Sequence, residues 1–146
     1  MPYKHILVAT DGSRLSGPAI RAAVKLAKVL GAKLTCLHVL APYFPAGAAK
    51  SFPPRSNAGY RSAIAKESHR ALAPFNAAAR STGVAATATS VVGGEPWRVL
   101  LQRARARKCD LIVMASHGRG GIASLLLGSE TAKVLTHSKI PVLVCR

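Results

Sequence analysis

Apolar and polar positions along the chain follow two alternating periods. His5–Thr10 (HILVAT) is a continuous apolar run of the kind that fills a strand buried on both faces, and Asp-Gly-Ser follows at once. From Pro18, the residues Ala19, Ile20, Ala23, Val24, Ala27 and Leu30 recur at helical spacing. Lys25 and Lys28 fall on the other side, and Gly31 stands where a helix-ending glycine is expected. Lys33–Leu40 (KLTCLHVL) predicts a second strand. Residues 41–59 are rich in Pro, Gly, Ala and Ser and have no period, which predicts a long loop. Residues 60–81 predict a helix with Ile64, Ala71, Leu72, Phe75 and Ala78 inward, kinked or split at Pro74. Residues 84–92 predict a third strand, and Gly93-Gly94-Glu95-Pro96 a turn that opens a helix with proline in its first turn. That helix turns Val99, Leu100, Leu101 and Ala104 inward, with Arg98, Arg103, Arg105, Arg107 and Lys108 largely outward. Residues 110–116 predict a fourth strand. A Gly-rich loop, a helix over Ser129–His137 and a last strand over residues 141–145 complete the pattern.

Short apolar strands that alternate with helices imply an α/β chain: a doubly wound parallel sheet with helices on both faces and right-handed crossovers. The 146 residues fit a single domain with no internal repeat. In such sheets ligands bind beyond the carboxyl ends of the strands, where the strand order reverses. Two strand ends carry suitable chemistry: Asp11-Gly12-Ser13 after the first and Ser116-His117-Gly118 after the fourth.

Composition narrows the classes. Hydrophobic residues make up 49% and mean hydropathy is +0.23, which excludes a disordered tail. No run reaches the roughly 18–20 apolar residues of a membrane span, and the start has no signal-peptide layout. Cys36, Cys109 and Cys145 are odd in number and sit in or beside apolar runs, so they read as free thiols of a reduced compartment. The cytoplasm is the expected location. Lys and Arg number 21 against 5 Asp and Glu, a formal charge of +16, which points to polyanions or phosphate-bearing ligands. Aromatics are only 5%, no helix-turn-helix or RNP motif is present, and the basic residues are spread along the helices. Nucleic-acid association is therefore expected to be at most non-specific. The five acids, Asp11, Glu67, Glu95, Asp110 and Glu130, form no carboxylate-rich metal site in sequence. The five histidines show no ligand spacing with the cysteines.

The chemistry-bearing stretch is Ala115-Ser116-His117-Gly118, nine residues (119–127), then Gly128-Ser129. A P-loop motif is absent. Residues 118–123 match G-x-G-x-x-A but lack the acid about 20 residues on that would hold a ribose. Gly118 lets backbone approach a phosphate without a Cβ in the way. Gly128 and Ser129 open a helix whose free N–H groups and positive dipole end favour an anion. Ser129 either caps that helix or donates its hydroxyl to a phosphate, and Arg119 can add a charge-assisted contact. A plain Gly-rich turn with a serine cap is the competing reading. His117 is either a ligand contact or a satisfied structural histidine.

At these residues the chain resembles the universal stress protein family over nearly its whole length. The likeness rests on Ile6-Leu7-Val8-Ala9-Thr10-Asp11-Gly12-Ser13, Leu37-His38-Val39, Gly93-Gly94-Glu95-Pro96 and the strand from Asp110 into Gly118. It closes with Leu127-Gly128-Ser129-Glu130-Thr131-Ala132-Lys133-Val134-Leu135 and Ile140-Pro141-Val142-Leu143-Val144-Cys145. The resemblance implies a Rossmann-like sheet of five parallel strands in the order 3-2-1-4-5. It also implies a homodimer that pairs the last strands, Pro141-Val142-Leu143-Val144-Cys145, of two copies. The nucleotide-binding branch carries G-x-x-G-x9-G-[ST]. Gly118, Gly128 and Ser129 match it, and Ala115 replaces its first glycine.

Carried over residue by residue, Asp11 would bond the ribose, or cap its own turn, and Val39 would meet adenine through its backbone. His117, Arg119, Ser129 and Glu130 would line the phosphates. Thr10, Gly12, Met114, Ala115 and Thr131 would complete the pocket, with the 41–59 loop at its mouth. The implied ligand is ATP, with or without Mg2+. The implied role is a stress-response protein that senses nucleotide state without primarily catalysing. Slow hydrolysis or self-phosphorylation stays open. A nucleotide-free dimeric interaction module is the alternative, prompted by Ala115. Scarce acids argue against carboxylate-driven catalysis and leave Asp11 conspicuous at a strand end.

Overall fold

The computed structural model describes residues 3–40, 58–118 and 127–146. In chain order these form β1 (His5–Thr10), α1 (Gly17–Leu30), β2 (Lys33–Leu40), α2 (Ala58–Thr82), β3 (Ala86–Val92), α3 (Pro96–Ala106), β4 (Leu111–Ala115), α4 (Ser129–His137) and β5 (Val142–Cys145). A single 3-10 turn, Arg14–Ser16, joins β1 to α1. The strands make one five-stranded sheet in the order β3-β2-β1-β4-β5, and every pairing is parallel.

The period of two along each strand decides what each face meets. Ile6 and Val8 of β1, Leu34 and Cys36 of β2, and Leu111 and Val113 of β4 pack with α1 and with Leu72, Phe75 and Ala79 of α2. Leu7, Leu37, Ile112 and Met114 point the other way, onto Leu100, Leu101 and Ala104 of α3 and Val134 of α4. The sheet is thus covered by α1 and α2 on one face and by α3 and α4 on the other. The change of face follows the change of direction. The chain first builds outward from β1 to β2 and β3, then returns to β4 and β5 on β1's other side, and crossovers of one hand must then lie on opposite faces. At the amino end, the Asp110 carboxylate accepts the N–H groups of Lys4 (2.8 Å) and His5 (3.0 Å), which ties the start of β1 to the start of β4.

Three expectations need correction. The 41–59 loop overlaps α2, which already starts at Ala58; the rest of that stretch lies outside the described residues. Pro74 does not split α2. It is exposed, so the hydrogen bond it cannot make is lost on the solvent side, while Ala71, Leu72, Phe75 and Ala79 bury the opposite stripe on either side of it. Ala79 is the deeper residue of the last turn, and Ala78 is only half-buried. The other elements keep their expected positions to within two residues. Gly31 ends α1 in the left-handed region at φ 64°.

All three cysteines are free. Burial pushes the Cys36 thiol up from 9.0 to about 12 and, more weakly opposed by Arg107, the Cys109 thiol to about 11. The unfolded chain therefore loses these protons first as pH rises past 9.0, and stability that is complete below that pH is lost on the way to about 12. Urea midpoints measured between about pH 8 and about pH 10.5 should fall, and the fall should be shallower in Cys36→Ala. An equally steep fall in the variant would remove Cys36 as its cause.

Candidate functional site

The carboxyl ends of β1 and β4 meet where the strand order reverses. β1 ends at Thr10, whose hydroxyl accepts the N–H of Gly12 at 3.1 Å. Asp11 then folds the chain back on itself. Its Oδ1 accepts the Ser13 N–H (2.8 Å), the Ser13 hydroxyl (2.6 Å) and the Ser16 hydroxyl (2.9 Å), while Ser16 Oγ accepts the Asp11 N–H at 3.2 Å. This is the self-capping turn that an aspartate before Gly-Ser favours. Gly12 takes φ +81°, and a Cβ there would lie 2.9 Å from the Ala71 Cβ of α2. Across the same approach, the Arg70 guanidinium bonds the Gly12 carbonyl (3.3 Å) and pairs with Glu67 (2.5 Å).

From β4 the chain runs through Ser116, His117 and Gly118. A Cβ on Gly118 would lie 2.7 Å from Asp11 Oδ2, so the glycine is what lets the two strand ends touch. Asp11 thus presents one oxygen to its own turn and turns the other toward Gly118. His117 bonds the Ser116 hydroxyl through Nδ1 at 3.0 Å, and its Nε2 is buried without a hydrogen-bond partner. It is only half satisfied, between the two expected readings.

The chain returns at Gly128, which closes back on β4. Its N–H bonds the Ser116 carbonyl at 2.7 Å, and a Cβ there would press on that carbonyl at 3.3 Å and on His117 Cα at 3.4 Å. Thr131 drives its buried hydroxyl onto the Ala115 carbonyl at 2.9 Å, pinning α4 to the end of β4. Ser129 is not the helix cap. Gly128 holds that position, fastened to Ser116 by its N–H, and Ser129 is the first helical residue. No side chain caps α4, and its first internal bond is Ala132 N–H to the Gly128 carbonyl. Among the described residues, no acceptor meets the N–H groups of Ser129, Glu130 and Thr131. Three donors and a positive dipole end therefore open beside Gly118 and Asp11.

The other expected site residues divide. Met114 is buried against α3 and α4, and the half-buried Val39 packs there too, so their side chains belong to the core. Ala115 ends β4 with its methyl against the α1 side and without a positive φ, so replacing the pattern's first glycine brings no backbone strain. Arg119 lies outside the described residues. The Glu130 side chain turns away to α3, where Oε2 accepts the Trp97 N–H at 2.9 Å in that helix's first turn. Sequence reasoning missed Ser16, Arg70 and this Glu130 contact. Ser16 has a local signal, a serine five residues past an aspartate, but Arg70 is 58 residues from Gly12 and Glu130 is 33 from Trp97.

Comparison with known proteins agrees over the full length. The sequence model of the universal stress protein family matches residues 2–146. Universal stress protein YxiE of Bacillus subtilis is 34% identical over 148 aligned positions, covering 99% of each chain. A universal stress protein of Thermus aquaticus is 33% identical over 144 residues, again covering 99% of each. A solved universal stress protein in complex with cAMP is 30% identical, with a TM-score of 0.68, over 100% of this chain and 98% of that one.

The Asp11 turn yields a direct test. Asp11→Ala strips three donors of their acceptor and should cost about 1–3 kcal/mol in urea unfolding of the ligand-free protein. A loss within about 0.5 kcal/mol, the range of an ordinary surface change, would mean the turn does not depend on this carboxylate.

Proposed function

The chain belongs to the universal stress protein family, and on that premise we propose that the crevice over β1 and β4 binds an adenine nucleotide, ATP, whose presence the protein senses without turning it over. One observation carries this reading: the unmet N–H groups of Ser129, Glu130 and Thr131 open next to a glycine that a single methyl would block. Such a cradle suits phosphate oxygens. The Asp11 carboxylate, turned toward Gly118, suits ribose hydroxyls, and the backbone of Val39 suits the base. His117, Gly118, Arg119, Gly128 and Ser129 line the phosphates, with Thr10, Gly12, Met114, Ala115 and Thr131 holding the frame. The relative solved with cAMP supports the adenine-nucleotide class.

Several features favour sensing over catalysis. Asp11 Oδ1 is already committed to three donors. Among the described residues no three His, Cys, Asp or Glu side chains gather into a metal site. Any Mg2+ would be held mainly by the phosphates and water. Among the described residues beside the cradle, His117 and Asp11 have the chemistry of a base, and efficient hydrolysis also needs a positioned water and a charge stabiliser. The backbone at Ala115, without a positive φ, supports the nucleotide-binding reading over a nucleotide-free module.

The rest of the reading follows from the surface. We read residues 1–146 as one domain acting in the cytoplasm, consistent with three free thiols. No described helix is long and apolar enough to cross a membrane. The +16 charge supports steering of phosphates and non-specific contact with nucleic acid. β5 is an edge of the sheet and Leu143 on it is 40% exposed. Such an edge is stable when paired, which favours a homodimer through Pro141-Val142-Leu143-Val144-Cys145.

ATP at about one hundred times its dissociation constant should stabilise the fold by about 2.7 kcal/mol, seen as a raised melting temperature. Gly118→Val should abolish that rise while leaving the circular dichroism spectrum of the free protein intact. No rise in the native protein, or an undiminished rise in the variant, defeats the assignment. Sedimentation should give twice the 15.2 kDa chain mass, and Leu143→Asp should return it toward the monomer. A native protein that sediments as a monomer rules out the paired edge.

A further inference from the structure

A second cleft lies on the far face of the sheet, between α3 and α4. It encloses about 390 Å³ and is lined by Trp97, Arg98, Leu101, Gln102, Arg105 and His137. That volume is within the range of small-ligand pockets, at the low end. One wall is aromatic and apolar: the Trp97 and His137 rings stack on each other, centroids 4.5 Å apart and planes 29° from parallel, beside the buried Leu101. The Arg98 guanidinium lies over the Trp97 ring at 5.0 Å and is already paired with Glu95 at 2.6 Å.

Several donors of this cleft are unmet. The Trp97 indole N–H is buried without a hydrogen-bond partner. Arg105 and Gln102 have no side-chain partner among the described residues. His137 Nδ1 donates to the Lys133 carbonyl at 2.9 Å, which fixes the ring against its own helix. No carboxylate lines the cleft. The nearest acids are spent elsewhere, Glu95 on Arg98 and Glu130 on the Trp97 backbone and Lys133. An aromatic, apolar wall beside an unpaired guanidinium, an amide and an unsatisfied indole donor is complementary to one ligand chemistry, a negative head on a planar aromatic body.

We propose that the α3–α4 cleft is a second binding site, separate from the nucleotide crevice, that takes a small planar organic anion. The ring packs against the side of the Trp97–His137 stack and Leu101, and a carboxylate or phosphate head is held by Arg105 with Gln102. The site draws on a single cation of the basic cluster along α3, whose other members, Arg103, Arg107 and Lys108, stay exposed.

Trp97 is the chain's single tryptophan, so one indole N–H signal in a nitrogen–proton correlation spectrum reports on this site alone. Titrating the full-length protein with benzoate, and separately with phenyl phosphate, should move that signal saturably. Whichever probe saturates it at lower concentration identifies the preferred head. Arg105→Gln should weaken the better probe by about tenfold, while the rest of the spectrum stays native. The neutral isostere benzamide and sodium chloride at matched ionic strength should leave the signal in place. The proposal is overturned if neither anion moves the indole signal saturably, if benzamide moves it equally, or if Arg105→Gln binds as tightly as the native chain.

Discussion

The structure depends on one constraint: β1 is buried on both faces and hydrogen-bonded on both edges. Ile6, Leu7 and Val8 are each fully inaccessible, and the strand pairs with β2 on one side and β4 on the other. A strand so placed can receive neighbours only by crossovers that leave in opposite directions. Those crossovers put α1 and α2 on one face and α3 and α4 on the other, and they part the loops at the carboxyl ends of β1 and β4. The crevice is thus a by-product of the topology, and only its lining had to be chosen.

That lining uses little charge. Gly12, Gly118 and Gly128 are the places where a Cβ would strike another segment, and they let α2, Asp11 and the Ser116 carbonyl come close. The donors on offer are backbone N–H groups of α4, oriented by a helix that Thr131 and Gly128 fasten to β4. In a chain with 21 basic residues, the proposed anion cradle would thus be built mostly from peptide groups. Under that proposal the excess charge would act from the surface, steering phosphates in a salt-sensitive way. Glu130 joins the two halves of that surface. Its backbone N–H opens beside Gly118, and its carboxylate holds the first turn of α3 at the backbone of Trp97, whose ring lines the second cleft.

Legibility followed the range of the interaction. The β-α alternation, Gly31, Pro96 at the head of α3 and the residues buried by each helix could be read because period and termini are local properties. The glycine-and-serine stretch could be read as an anion cradle for the same reason. The start of α4 at Ser129 was legible, but that Gly128 and not Ser129 takes the cap position rests on the bond from Gly128 to Ser116, which spans the loop. Pro74 was over-weighted because its cost depends on whether the lost bond faces water or core. Arg70 at Gly12, Glu130 at Trp97 and the stacking of Trp97 on His137 left no periodic trace at all.

By itself the sequence determined the class of fold, the strand ends that meet where the strand order reverses and the glycine positions between them. Each of these follows from residue types within a few positions of one another. Only the tertiary structure decided that the Asp11 carboxylate serves its own turn with one oxygen and faces Gly118 with the other. It also decided that Glu130 caps a neighbouring helix and that α3 and α4 enclose a donor-lined cleft. These are meetings between segments tens of residues apart, and they exist only once the packing of four helices on a twisted sheet has fixed which side chains share a space.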